Sequence, residues 1–206
     1  MAATSRQTRQ RTHREVRWQR LLEGVLAVIA REGPAVSMER LAAELGVTKP
    51  VLYRYFGDRA GLYRAVAEAT VTALMRDLAA ALAEPVEPRR LLAETIDAYL
   101  SFIEREPQLY RFLMERAVVE HVEAHAAITH FIRQVGQAVA QVLDQQMRAA
   151  GTDLGAAEAW AYGVVGMVQL AGDWWLERRP MPRPRLVAHL TDLLWDGFAH
   201  QAGGRP

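Results

Sequence analysis

The chain has no cysteine and only one lysine, Lys49, in 206 residues. Without cysteine, disulfides and thiolate metal sites are excluded, while a reducing compartment is permitted. Long hydrophobic runs are missing as well. The most apolar stretch, Trp160 to Leu176, is interrupted by Gln169 and Asp173 and is short for a bilayer span. The basic start, MAATSRQTRQRTHREVR, has no apolar segment behind it and does not read as a secretory signal. A cytoplasmic protein with no membrane partner is the expectation. Alternating runs of β-branched residues are absent, and alanine, leucine, arginine and glutamate dominate, so the prediction is an all-α protein. Aromatic residues amount to 8%, yet four of them crowd into one short segment, at Tyr53, Tyr55, Phe56 and Tyr63.

Charge is present but unevenly placed. The net charge is +1, whereas up to residue 64 there are twelve arginine and lysine residues against six acids. The remainder is therefore net acidic. A basic end joined to an acidic body points to one part that meets a polyanion and another that does not.

Apolar spacing organises the chain into about nine helices. Residues 1–13 lack apolar periodicity and read as a flexible basic arm. From Arg14, the positions Trp18, Leu21, Leu22, Val25, Leu26 and Ile29 follow helical spacing as far as Gly33-Pro34. Ser37 is suited to cap a short second helix, Met38 to Leu45, which Gly46 ends. A third opens near Thr48 with Pro50 in its first turn and stops at Gly57-Asp58. After Asp58, itself a candidate cap, come helices over 59–83, 89–106, 107–119 (a short one), 125–150, 154–178 and 185–201, with Asp153 expected to cap the fifth of these.

Residues 38–57 meet the packing demands of a helix-turn-helix all at once. Leu41, Leu45, Val47 and Leu52 are apolar where two helices would face each other. Ala42 is small at their crossing, and Gly46 stands where the turn needs a left-handed backbone. On the helix from Lys49 to Phe56, Leu52 and Phe56 face inward. Lys49 and Tyr53 share the opposite face, with Pro50 and Arg54 beside them. A helix that begins at Thr48, Lys49 and Pro50 presents free backbone N–H groups outward and can enter a major groove, with Tyr53 and Tyr55 reaching phosphates. The bland alternative makes both tyrosines half-buried packing residues.

The segment GVTKPVLYRYFGDRAGLYRAV resembles the end of the DNA-binding domain of TetR-type regulators (the TetR/AcrR family), with their Leu-Tyr-x-x-Phe recognition helix. That resemblance covers about residues 14–73 and is architectural beyond them. It implies a homodimer with an N-terminal three-helix DNA-binding domain over 14–73 and an effector-binding and dimerisation domain over 74–206. It also implies that Ser37 caps and touches phosphate, and that Thr48, Lys49, Pro50, Val51 and Tyr53 meet base edges and backbone. Tyr55 takes the place of a phosphate-binding histidine, and Arg59 that of a phosphate-binding lysine at the start of helix four. Glu39 departs from the pattern, standing near a position where some members read a base with a basic side chain. The arginine-rich arm before residue 14 is longer than a minimal member needs and has a minor groove or a phosphate row within its reach.

In the C-terminal body, Trp160, Val164, Met167, Val168, Ala171, Trp174 and Trp175 form a stripe at helical spacing, with small residues over much of the rest. With the last helix, this suits a four-helix interface between twin chains. Tyr99, Phe102, Tyr110, Phe112, Met114, Phe131, Trp160 and Met167 are candidates to line a mostly apolar effector cavity. His121 and His125, with His130 beyond, lack the third ligand and the HExxH order that zinc requires. No phosphate-cradling glycine loop, cysteine nucleophile or serine motif is present, so no catalytic residue, metal or cofactor is expected. The expected function is a ligand-responsive dimeric repressor on a palindromic operator. Its rivals are a constitutive or architectural DNA binder without an effector and, more remotely, an all-helical enzyme.

Overall fold

The computed structural model describes residues 2–82, 87–116, 122–149, 151 and 155–203. Among the described residues there are nine α-helices and no strand. These are α1 (Ala2–Glu32), α2 (Met38–Glu44), α3 (Lys49–Phe56), α4 (Arg59–Leu82), α5 (Pro88–Arg105), α6 (Pro107–Arg111), α7 (Val122–Ala149), α8 (Ala157–Arg178) and α9 (Arg183–Gly203). A π-helical turn over Phe112–Arg116 follows α6 directly. No helix among the described residues is long and apolar enough to cross a membrane.

The chain divides into two compact units. The first comprises residues 1–70 and 108–128, and the second 71–107 and 129–206. The division falls inside α4, three residues before the boundary expected from the sequence. A second difference is that residues 108–128 rejoin the N-terminal unit. The physical reason is packing: Leu109 and Phe112 are buried in the same core as Leu22, Val25, Ile29 and Leu52. Phe112 meets Tyr63 edge-on, with ring centroids 4.9 Å apart.

In the first unit, α1 supplies an apolar stripe of Leu21, Leu22, Val25, Val28 and Ile29. The helix does not begin at Arg14 but runs back to Ala2, so the basic arm is helical. Its sequence explains this. Residues 2–23 contain neither glycine nor proline, and Arg and Gln propagate a helix nucleated downstream without needing an apolar face. At its other end α1 is tied to α2 by ion pairs. Arg40 Nη2 lies 2.8 Å from Glu32 and 2.8 Å from Glu44, and Arg31 pairs with both of the same carboxylates.

In the second unit, α5 packs against both α8 and α9. The α8 backbone at Gly172 lies against Tyr99, Leu100 and Ile103 of α5. Trp175 is fully buried and donates from its indole Nε1 to the Met181 carbonyl at 2.7 Å, holding the turn that leads into α9. Pro184 falls in the first turn of α9, where its missing N–H costs nothing. At the start of α8 the structure differs from the sequence reading: the helix begins at Ala157 after Ala156, and Asp153 lies outside the described residues.

Candidate nucleic-acid interface

α2 and α3 are short, and neither would persist alone. Both are held by the core. Leu41 and Leu52 are completely buried, Ala42 and Phe56 nearly so, and Leu45 and Val47 pack at the edge. Gly46 has φ of +62°, a left-handed conformation that would strain a side-chain-bearing residue. Its turn is closed by hydrogen bonds from Gly46 N to Ala43 O at 3.1 Å and from Val47 N to Ala42 O at 2.9 Å. A feature not foreseen from the sequence is Gly24, in the middle of α1. A methyl group there would overlap Leu45 Cδ2, so glycine lets α1 approach the turn closely.

The caps behave as their residue types dictate. Ser37 Oγ accepts from Arg40 N at 3.2 Å, and Asp58 Oδ1 accepts from Gly61 N at 2.7 Å at the start of α4. Thr48 is the N-cap of α3 by its extended backbone, but its hydroxyl makes no capping bond. Pro50 sits in the first turn of α3. Thr48 and Pro50 are exposed and Val51 is half-buried, so the N-terminal turn of α3 opens outward. Pro50 has no N–H and Val51 N donates to Thr48 O at 2.9 Å, so what this end brings to the surface is chiefly the partial positive charge of the helix.

The rings of Tyr53 and Tyr55 both pack against the edge of the core and stay partly exposed. The Arg54 guanidinium lies 5.4 Å from the centre of the Tyr55 ring. Arg59 is positioned by Tyr63: its Nε donates to the Tyr63 hydroxyl at 2.8 Å, and its guanidinium lies 5.1 Å from that ring. Since Tyr63 is itself fixed against Phe112, the cation at the start of α4 is anchored through two aromatic rings.

Lys49 is paired within the chain. Its ammonium group donates to the Glu39 carboxylate, which joins the start of α3 to the start of α2. That hydrogen bond, chiefly, raises the Lys49 pKa and lowers that of Glu39. Nothing in the local patterns of the two helices announces this partnership. Glu32, held by Arg40 and then by Arg31, has its pKa lowered to about 2.

The residues expected to line an effector cavity are dispersed. Tyr110, Phe112 and Met114 belong to the first unit, whereas Tyr99, Phe102, Trp160 and Met167 belong to the second. Phe102 and Phe112 are fully buried, the latter against Tyr63. Met167 differs from the expectation, because it is exposed on α8 beside Leu170 rather than turned inward. The Phe131 side chain and His121 lie outside what is described, as do the side chains of His125 and His130. The second unit does contain a cleft of about 430 Å³ between Val71, Thr72 and Met75 of α4 and Gln134, Gln137, Ala138 and Gln141 of α7. None of the expected lining residues contributes to it.

Three helices on one apolar core, with the third offering its N-terminal turn to solvent, define a helix-turn-helix DNA-binding protein. Known proteins place it further. Residues 21–66 match the family described as bacterial regulatory proteins, tetR family, and residues 77–205 match the tetracyclin repressor-like C-terminal domain. The chain is similar to an uncharacterized HTH-type transcriptional regulator of Mycobacterium tuberculosis, 35% identical over 202 residues covering 97% of this chain and 85% of the relative. It is also similar to the HTH-type transcriptional activator FasR of Mycolicibacterium smegmatis, 28% identical over 187 residues, or 90% of this chain and 84% of that one. A transcriptional regulator of Pseudomonas aeruginosa shares the fold with a TM-score of 0.75 at 21% identity, over 92% of each chain. The protein belongs to the TetR family of transcriptional regulators. It is a DNA-binding regulator and not an enzyme.

Proposed function

We propose that the protein is a dimeric, ligand-responsive repressor that binds a palindromic operator and is released by a small, mostly apolar or aromatic effector. One observation carries the dimer: α8 exposes Met167, Leu170 and Trp174, and Leu170 is 70% exposed. These fall at i, i+3 and i+7 on one face of the helix. No neighbouring atom comes within 4 Å of where a side chain would begin at Gly163 or Gly166, so a second helix has room to approach. Leu193 of α9, at 60% exposure, adds to the apolar surface of this unit. A bare stripe of this kind is costly in water and is satisfied by a twin copy. A two-fold dimer in turn suits a palindrome whose half-sites lie about one helical turn of DNA apart.

On this reading the α3 end, Thr48 to Tyr53, meets base edges and backbone. Ser37, Tyr55 and Arg59 meet phosphates. Lys49 must leave Glu39 to reach DNA. α4 begins beside Asp58 in the reading unit and continues unbroken into the second unit, so it is the element that carries a displacement between them. An effector that favours one position of α4 by about 1–3 kcal/mol changes operator affinity roughly 5- to 150-fold. Repression needs only operator occupancy, whereas activation needs a further surface for the polymerase. The Mycolicibacterium smegmatis relative is named an activator, so a reporter gene downstream of the operator settles the sign.

Mass spectrometry of the protein purified under native conditions tests the reading. A dimer carrying an additional small apolar mass is expected. A monomer at micromolar concentration would overturn the dimer, and a ligand-free dimer whose operator binding no small molecule alters would favour a constitutive regulator.

A further inference from the structure

The N-terminal half of α1 and the C-terminal half of α3 enclose a feature apart from the outward N-terminal turn of α3. Arg14, Arg17 and Arg20 line one side of a cleft of about 830 Å³ in the first unit, and Arg54 and Tyr55 of α3 line the other. His13, Val16, Leu21, Leu45 and Val47 make up the rest of the lining, and among the described residues no acid contributes to it. The three α1 arginines are exposed and have no ion-pair partner among the described residues. Arg31 and Arg40 of the same unit are, by contrast, both engaged by carboxylates. Helical spacing brings Arg17 and Arg20 to the same face as His13, while Glu15 falls on the far side. In the sequence the same three- and four-residue rhythm continues upstream through Arg9 and Arg6.

We infer that this cleft binds DNA phosphates outside the part of the operator read by α3. It would be a sequence-independent second contact made by α1. The inference rests on the reading that α3 docks on DNA, because Arg54 and Tyr55 join the cleft to the recognition helix. Several uncompensated arginines in one concave surface are the chemistry that recognises a row of phosphodiesters. From Arg14 to Arg20 the helix rises about 9 Å, enough to follow two or three phosphates along one strand. A surface of anionic lipid is the competing polyanion. It is disfavoured because a membrane-binding helix pairs its basic face with bulky apolar wedges, and among the described residues the one large exposed apolar side chain beside this cleft is Val16.

The test uses the full-length protein and duplexes enriched from a random-sequence pool. One duplex is trimmed to the enriched sequence, and another carries six further base pairs of mixed sequence on each side. Wild type is expected to bind the longer duplex at least about tenfold more tightly, with a steeper salt dependence. In R14Q/R17Q/R20Q the preference for the longer duplex should vanish. The slope of log K against log salt should fall by about 2–3 per protomer, while the enriched sequence stays the same. R14K/R17K/R20K, which keeps the charge, should restore most of both. Equal binding of the two duplexes by wild type, or an unchanged slope in the glutamine variant, would overturn the inference. So would a glutamine variant that keeps its preference for the longer duplex but loses binding to vesicles rich in phosphatidylserine. If the docking of α3 is wrong instead, Tyr53→Phe leaves binding to the trimmed duplex unchanged, a result distinct from any of these.

Discussion

The first unit exposes arginines along a cleft, whereas the second exposes Met167, Leu170, Trp174 and Leu193. Each surface is incomplete in water, and each in its own way. An unpaired cationic cleft is stable when solvated and gains most from a polyanion whose counterions it can release. An apolar stripe gains nothing from charge and is satisfied by matched apolar surface. The contrast teaches that the chemistry of what is left exposed, rather than the shape of the fold, separates the two kinds of partner. It also predicts opposite responses to salt: association through the first surface should weaken steeply, and association through the second should hold or strengthen.

Substitution of Leu170 by Glu should sharpen that contrast most. Its side chain is largely exposed, so the subunit should stay folded while self-association is lost. Sedimentation equilibrium should then give a monomer. Operator affinity should drop by about a hundredfold or more, since two half-sites no longer bind as one ligand. An L170E dimer would place the twin interface elsewhere.

Next in size are Tyr53→Phe and Arg59→Ala. Each should weaken operator binding by roughly tenfold, and Arg59→Ala should lower the salt slope by about one per protomer. Dimerisation should be untouched in both. If both bind as wild type does, the docking of α3 is misassigned.

Glu39→Gln should act in the opposite direction. On the proposed docking, the carboxylate that holds Lys49 competes with DNA for it, so removing its charge should strengthen operator binding by a few-fold at most, as for an exposed pair. The gain should disappear in a Lys49→Ala background. An affinity unchanged by Glu39→Gln would mean that Lys49 stays with α2 when DNA is bound.

The smallest effect concerns acid stability. Glu32 has its pKa lowered from 4.5 to about 2 by Arg40 and Arg31, so the unfolded chain binds this proton first. The stabilisation is present above pH 4.5 and is lost as the pH falls through about 2. Thermal melts of Glu32→Gln should therefore lie below wild type at neutral pH and converge with it toward pH 2. Parallel curves at all pH values would show that the carboxylate is not held in this way.

Much of the reading unit was legible because its constraints are local. The glycine at 46, the caps at Ser37 and Asp58 and the inward pair Leu52 and Phe56 each follow from a few neighbouring residues. What escaped depends on contacts distant in sequence. The return of residues 108–128 to the first unit rests on Phe112 meeting Tyr63, and the Lys49–Glu39 pair on the crossing of two helices. Gly24, which no pattern in the sequence singles out, is the clearance for Leu45. The helical state of the basic arm was hidden for another reason. Propagation from a strong downstream nucleus leaves no apolar period to read. In the second unit the stripe on α8 was visible, but which of its sides is buried was not. The structure buries Val164, Val168 and Trp175 and leaves Met167 and Trp174 open.

The central claim is that two copies of the reading unit meet DNA together through the open end of α3. Enrichment from a random duplex pool by the wild-type protein, followed by sequencing, tests it most directly. The account predicts a palindrome with half-site centres about 34–36 Å apart, not enriched by Tyr53→Phe at the same protein concentration. A single asymmetric site, or the same palindrome enriched equally by the Tyr53 variant, would contradict it.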